Sequence, residues 1–280
     1  MVNILVMVVA SFAITFITGA LGLGPAMSQN GINYASLMVI CLVWGMVGSF
    51  ISLFISKWLA KRAFGLEIVE LNSRYSNTVQ KVHHLAQSAG IEKMPEVGIY
   101  DSPEINAFAT GATKNSSLVA VSTGLLNNLT EDEVEGVLGH EIAHIANGDM
   151  VTLALIQGIV NAFVMFFARI ATMIVDNALR GDNDNGRGLG FFAYFIIYNL
   201  FSFLFGILAS PLVFWFSRWR EFRADAGSAK LAGREKMINA LEALKRTYQS
   251  LEPKGLKIPT DSNVRAMQIS SKIKFGEIFS

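Results

Sequence analysis

Glu131–Ala146 reads EDEVEGVLGHEIAHIA, and the reading of these residues decides the fold. The stretch predicts one amphipathic helix. Thr130 stands at the N-cap with Glu133 three residues on, the two members of a capping box, and Gly148 stands where a helix stop belongs. Val134, Val137, Leu138, Ile142 and Ile145 recur at helical spacing and give the helix one buried face. His140 and His144 lie on the same helix. Residues four apart sit one turn apart on one face, so both imidazoles can reach a single ion. Glu141 follows the first of them, rotated off the ligand axis, where it can address a water at that ion.

The pattern His140-Glu141-Ile142-Ala143-His144 is H-E-x-x-H, in which two histidines hold zinc and the glutamate serves as base. Chance also produces it, and three features argue against chance. The chain has only four histidines, and two of them fill these positions. The motif lies on a capped amphipathic helix. A third ligand stands ready at Glu221, with Asp225 one turn further on to orient a ligand imidazole. Alone, Glu221 would read as an interfacial carboxylate paired with neighbouring arginines; beside H-E-x-x-H, ligation is the better reading. Two His and one Glu leave a fourth tetrahedral position open, the arrangement of a catalytic zinc. The expectation is one Zn2+ per chain on His140, His144 and Glu221, with Glu141 as catalytic base. The other two histidines, His83 and His84, are adjacent on a second predicted helix, where side chains diverge by roughly 100° and cannot chelate as a pair.

Composition places this site in a membrane protein. Of 280 residues, 52% are hydrophobic and 16% charged, and the mean hydropathy is +0.41. A net charge of +1 supplies no basic field for nucleic acid. The single cysteine, Cys41, lies in an apolar run, which excludes a disulfide framework and a cysteine-based zinc site.

Four apolar stretches are expected to span a bilayer, which takes about 20 residues each. They are Val2–Leu23, read as a retained helix rather than a signal peptide, then Tyr34–Ser56, Val151–Val175 and Leu189–Phe216, the last with Pro211 as a kink point. Between the second and third lies a soluble-type segment. Thr78–Ala89 predicts a helix ended by Gly90, and Glu96–Tyr100, Ile105–Thr110 and Leu118–Ser122 predict short strands. An edge strand before the H-E-x-x-H helix could hold an extended substrate, with Asn106, Ala107 and Phe108 as candidates. A polar loop is expected at Asp176–Arg187, a further helix at Arg234–Tyr248, and a loop-rich remainder. The expected fold class is therefore an integral membrane protein, mainly α with a small β-sheet: four transmembrane helices and a cytoplasmic zincin-like domain of the gluzincin type. Its parts are a hairpin over 1–56, the zincin segment over 57–150, a second hairpin over 151–216 and a C-terminal part over 217–280.

Orientation follows from the basic residues. Lys57, Lys61 and Arg62 follow the second span, and Arg218, Arg220 and Arg223 follow the fourth, which predicts a cytoplasmic zinc domain and cytoplasmic termini. The liganding residues then lie within about 10 Å of the membrane boundary along their helices.

With INAFATG, GHEIAHIANGD and REFRADAGSAKLAG in view between paired spans, the sequence resembles the HtpX-type membrane zinc metalloproteases, relatives of the CAAX prenyl proteases. The resemblance implies zinc on His140, His144 and Glu221, catalysis by Glu141 and a supporting role for Asp225. It also implies a stress-response enzyme of the bacterial inner membrane that cleaves misfolded or damaged membrane proteins and unfolded polypeptide. Such proteins usually continue past a stretch like FGEIFS into a His-Pro-containing segment, so a C-terminally shortened chain is the expectation here. Two other classes are weighed against a protease. A transporter would use Gln157, Asn161, Arg169 and Asn199 within spans, and an inert chaperone or scaffold would not need Glu141.

Overall fold

The computed structural model describes residues 34–180 and 188–251. The first expected span, its linker and the C-terminal loop region lie outside them. The described residues divide into two compact units, one of those up to Leu53 together with those from Thr152 to Trp215, the other of those from Phe54 to Val151 together with those from Phe216 on.

Three helices among the described residues are long and apolar enough to cross a membrane: α1 (Tyr34–Ala63), and two later ones named here α5 (Asp149–Arg180) and α6 (Phe191–Leu231). Within the first unit, α1 and α5 meet at small residues. A Cβ on Gly45 would stand 2.6 Å from the Gly158 carbonyl oxygen, so only glycine permits this approach. The amides expected to mark a transport path are satisfied on their own helices. Gln157 Nε2 donates to Asn161 Oδ1 at 2.9 Å, and Asn199 Nδ2 donates to the Phe195 carbonyl at 2.8 Å. Arg169 stands over the Tyr198 ring at 5.9 Å. Helix α6 runs unbroken through Pro211. Proline has no N–H for the Ile207 carbonyl, and the Ser210 hydroxyl donates to that oxygen instead, at 2.8 Å. The expected polar loop starts later than its composition suggests, because α5 continues as helix to Arg180.

The second unit holds a four-stranded sheet in the order β1-β2-β4-β3. Its strands are β1 (Glu67–Val69), β2 (Glu96–Tyr100), β3 (Ala107–Thr113) and β4 (Ser116–Ser122). Strands β2 and β4 are parallel, and the other pairs antiparallel. Helix α2 (Ser76–Ser88) and helix α4 (Glu131–Asn147) cover one face, with short α3 (Thr123–Asn128) leading into α4. Val97, Ile99, Val119 and Val121 from the strands pack with Val82, Leu85, Leu138, Ile142 and Ile145 from the helices. Alternation along each strand sends these β-branched residues to one side. Helix α7 (Arg234–Leu251) closes the far side of α4, with Arg246 donating to Glu133 Oε1 at 2.9 Å.

Candidate metal centre

Helix α4 forms where its caps demand. The Thr130 side chain accepts from the Glu133 N–H, the Glu133 carboxylate accepts from the Thr130 N–H, and Gly148 closes the helix at φ +69°. Its apolar face is buried as the spacing requires, and the burial extends to His140, Glu141 and His144.

Glu221 reaches the same point from α6, 81 residues further along the chain. Close packing brings it there. Gly139 of α4 faces Ser228 Oγ, and Gly227 of α6 faces the Ala143 Cβ; a methyl group on either glycine would stand 2.8 or 2.6 Å from those atoms. The Ser228 hydroxyl also donates to the Gly136 carbonyl at 2.8 Å, which locks one helix on the other.

The result is a triangle of ligand atoms. His140 Nε2 and His144 Nε2 are 3.1 Å apart, and Glu221 Oε2 lies 3.2 Å from the first and 3.5 Å from the second. Three atoms bound at about 2.0–2.1 Å with tetrahedral angles stand about 3.3 Å from one another, so the triangle has the size that zinc requires. Each side chain is also held from behind. His144 Nδ1 donates to Asp149 Oδ2 at 2.7 Å. His140 Nδ1 lies 2.8 Å from Asp225 Oδ1, in contact but off the N–H axis. Arg220 donates to Glu221 Oε1 at 3.0 Å, leaving Oε2 for the centre. Both Nδ1 atoms thus face carboxylates, which turns both Nε2 lone pairs and a carboxylate oxygen on one point. That point calls for a cation.

The electrostatics agree. Burial alone would lower the His140 pKa, but the Asp225 and Glu221 carboxylates outweigh it and push it up to about 10. His144 is likewise raised: burial works against it, and Asp149 and Glu221 overcome that. Burial works to raise Glu221, yet the two imidazoles hold it far below the usual carboxylate range. Glu141 is raised chiefly by burial, against the pull of His140 and His144 and of a hydrogen bond from the Ala109 backbone. A buried carboxyl shifted upward beside a cation site is suited to trading protons.

Ala109 belongs to β3, an outer strand of the sheet. The Ser122 N–H donates to the Asn106 carbonyl at 3.0 Å, so Asn106 and Ser122 form a hydrogen-bonded pair. Alternation along the antiparallel ladder then turns the backbones of Phe108 and Thr110 toward β4, and those of Ala107 and Ala109 toward the open edge. Of the three candidate substrate residues, only Ala107 offers its main chain outward. Asn106 is engaged with β4 and precedes the strand proper, and the Phe108 ring packs 4.9 Å from Phe64 and 6.0 Å from Tyr100. Spacing alone could not show which parity faces out, because it depends on the partner strand. Asp149 and Arg220 also escaped the sequence reading as parts of the site. Their signals were present: Asp149 directly follows the helix-stopping Gly148, five residues after His144, and Arg220 adjoins Glu221. His83 and His84 stay apart from the centre; His83 Nε2 lies 3.3 Å from the Pro95 carbonyl, and His84 is exposed.

Comparison with known proteins joins this geometry to a family. The profile of peptidase family M48 matches residues 72–259. The chain belongs to this family. M48 membership makes it a metalloprotease, and its apolar helices make it a membrane-associated one. Among M48 relatives, Protease HtpX of Psychrobacter sp. (strain PRwf-1) is 52% identical over 271 residues, covering 96% of this chain and 86% of that protein. Protease HtpX of Aeromonas hydrophila is 50% identical over 285 residues, covering 100% of this chain and 95% of that one. Among solved structures, S. mikatae Ste24p shares the fold with a TM-score of 0.57 at 15% identity, covering 94% of this chain. The chain spans 63% of the length of Ste24p.

Proposed function

We propose that this chain is an integral-membrane zinc endopeptidase acting on misfolded or damaged membrane proteins and unfolded polypeptide, as part of membrane-protein quality control under stress. The observation that carries the proposal is the convergence of His140 Nε2, His144 Nε2 and Glu221 Oε2 within 3.1–3.5 Å of one another, each aimed by a further residue behind it. In this reading these three side chains hold one Zn2+ per chain. When bound, zinc supplies Lewis acidity, which activates a water near neutral pH and polarises a peptide carbonyl. Glu141 takes the proton of the attacking water and passes it to the leaving amine; burial, which raises its pKa, brings it toward the range such a base needs. Asp149 and Asp225 keep the imidazoles turned toward the centre. The substrate lies extended along the open edge of β3, paired with the main chain at Ala107 and beside Glu141 at Ala109, with Asn106 and Phe108 flanking that contact.

We place the catalytic unit on the cytoplasmic side of the bacterial inner membrane. Support comes from the basic residues that follow the expected spans and from the bacterial relatives named Protease HtpX. Purified Glu141→Gln protein is expected to keep its zinc and fold while casein cleavage falls by about 10²–10⁴-fold. Cleavage at the wild-type rate would refute the assigned base. A wild type fully loaded with zinc that cleaves nothing would favour the chaperone or scaffold reading.

A further inference from the structure

Two helices carry the same pair of residues within about two turns of the end of their apolar stretches. On α1, Arg62 stands over the Trp58 ring at 5.8 Å; on α6, Arg223 stands over the Trp219 ring at 4.7 Å. In both, the arginine follows the tryptophan by four residues, which puts them on one helical face. All four residues belong to the unit that holds the metal centre. Both indoles remain open, with Trp58 60% and Trp219 46% exposed.

The cations near these tryptophans are of two kinds. Lys57 and Lys61 share the single charge of Glu96 at 2.9 and 2.6 Å, and Arg220 is paired with Glu221 at 3.0 Å. Arg62, Arg218 and Arg223 are exposed and have no carboxylate partner among the described residues. Arg223 does reach Asn147 Oδ1 at 3.3 Å, but an amide leaves its charge uncompensated.

An exposed indole just past the apolar stretch of a helix is suited to the headgroup layer of a bilayer. A guanidinium lying on such a ring is held in place and, with five N–H donors, still has some to offer a phosphate, whose oxygens a guanidinium fork matches through two parallel hydrogen bonds. We propose that Arg62, Arg218 and Arg223, with the indoles of Trp58 and Trp219, form an interaction surface for the phosphate headgroups of anionic phospholipids. An acidic polypeptide would meet the same charges, but only a lipid surface also uses indoles placed just beyond apolar stretches. The inference rests on membrane insertion and is independent of peptidase chemistry, so its test reads lipid rather than cleavage.

The full chain is placed in phosphatidylcholine nanodiscs with trace spin-labelled phosphatidylglycerol or phosphatidylcholine, and the motionally restricted fraction of each label is compared. The wild type is expected to prefer phosphatidylglycerol several-fold, since each cation at an anionic surface can contribute up to about fivefold. The combined Arg62→Gln, Arg218→Gln, Arg223→Gln variant, with wild-type zinc content and helicity, is expected to bring the ratio close to one. If that variant does not fold, a salt titration of the wild type serves in its place, and added salt is expected to weaken the preference. Equal restriction of both labels in the wild type, an unchanged ratio in the folded variant, or indifference to salt would each overturn the proposal. So would a variant that keeps the lipid preference but loses binding of a fluorescent poly-glutamate peptide, which would assign the surface to acidic polypeptide.

Discussion

Every ligand side chain in the centre is backed by a residue on its far side: Asp149 hydrogen-bonded behind His144, Asp225 in contact behind His140 and Arg220 hydrogen-bonded behind Glu221. A carboxylate behind an imidazole fixes its orientation and raises its basicity. Asp149→Ala and Asp225→Ala are therefore each expected to weaken zinc binding by about 10 to 100-fold, measured by competition with a chelating dye. Equal affinity in Asp149→Ala and wild type would remove Asp149 from the site. The centre also predicts a pH dependence. In the metal-free protein His140 keeps its proton up to about pH 10, against an ordinary value of 6.5. A raised value stabilises the protonated fold, so this contribution is complete below pH 6.5 and is lost as pH rises through 10. Zinc needs the lone pair that the proton occupies, so zinc affinity should increase with pH over the same window and binding should release protons. Calorimetry in buffers of different ionisation enthalpy measures that release; zinc affinity independent of pH from 6 to 9 would contradict the assigned ligands.

At the scale of elements, the site exists because α4 and α6 lie close enough for only glycine at the contact. Gly227→Leu is expected to push α6 away from Ala143, separating Glu221 and Asp225 from His140 without altering a ligand. Zinc content should fall sharply while circular dichroism still reports helix. A variant that retains full zinc would show that the packing does not position the ligand. Helix α4 was legible to within one residue, because capping and apolar spacing are interactions over four residues or fewer. Helix α6 was legible only in part. Hydrophobicity stops at Phe216, but the backbone continues as helix to Leu231 through polar residues that are good helix formers. Strand β1 was not legible, since three residues carry no usable alternation and their pairing with β2 is set by the sheet.

At the scale of the molecule, α1, α5 and α6 each contribute residues to both units. If the metal-bearing unit is cytoplasmic, a cysteine at Asn115, exposed in the β3–β4 turn, should be silent to an impermeant thiol reagent in intact cells and react after lysis. The background is Cys41→Ser, which removes the only native thiol. Labelling in intact cells would reverse the topology and exclude a cytoplasmic substrate. The sequence by itself determined the membrane class, the H-E-x-x-H helix with its caps, and the nomination of Glu221 and Asp225, because composition, periodicity and helical spacing are properties of neighbouring residues. Only the tertiary structure decided that the three ligand atoms meet at metal-binding distances, that Asp149 and Arg220 aim two of them, and that Ala107 and Ala109 face the open edge of the sheet. Those outcomes depend on the packing of distant segments and on strand register, which no local pattern encodes.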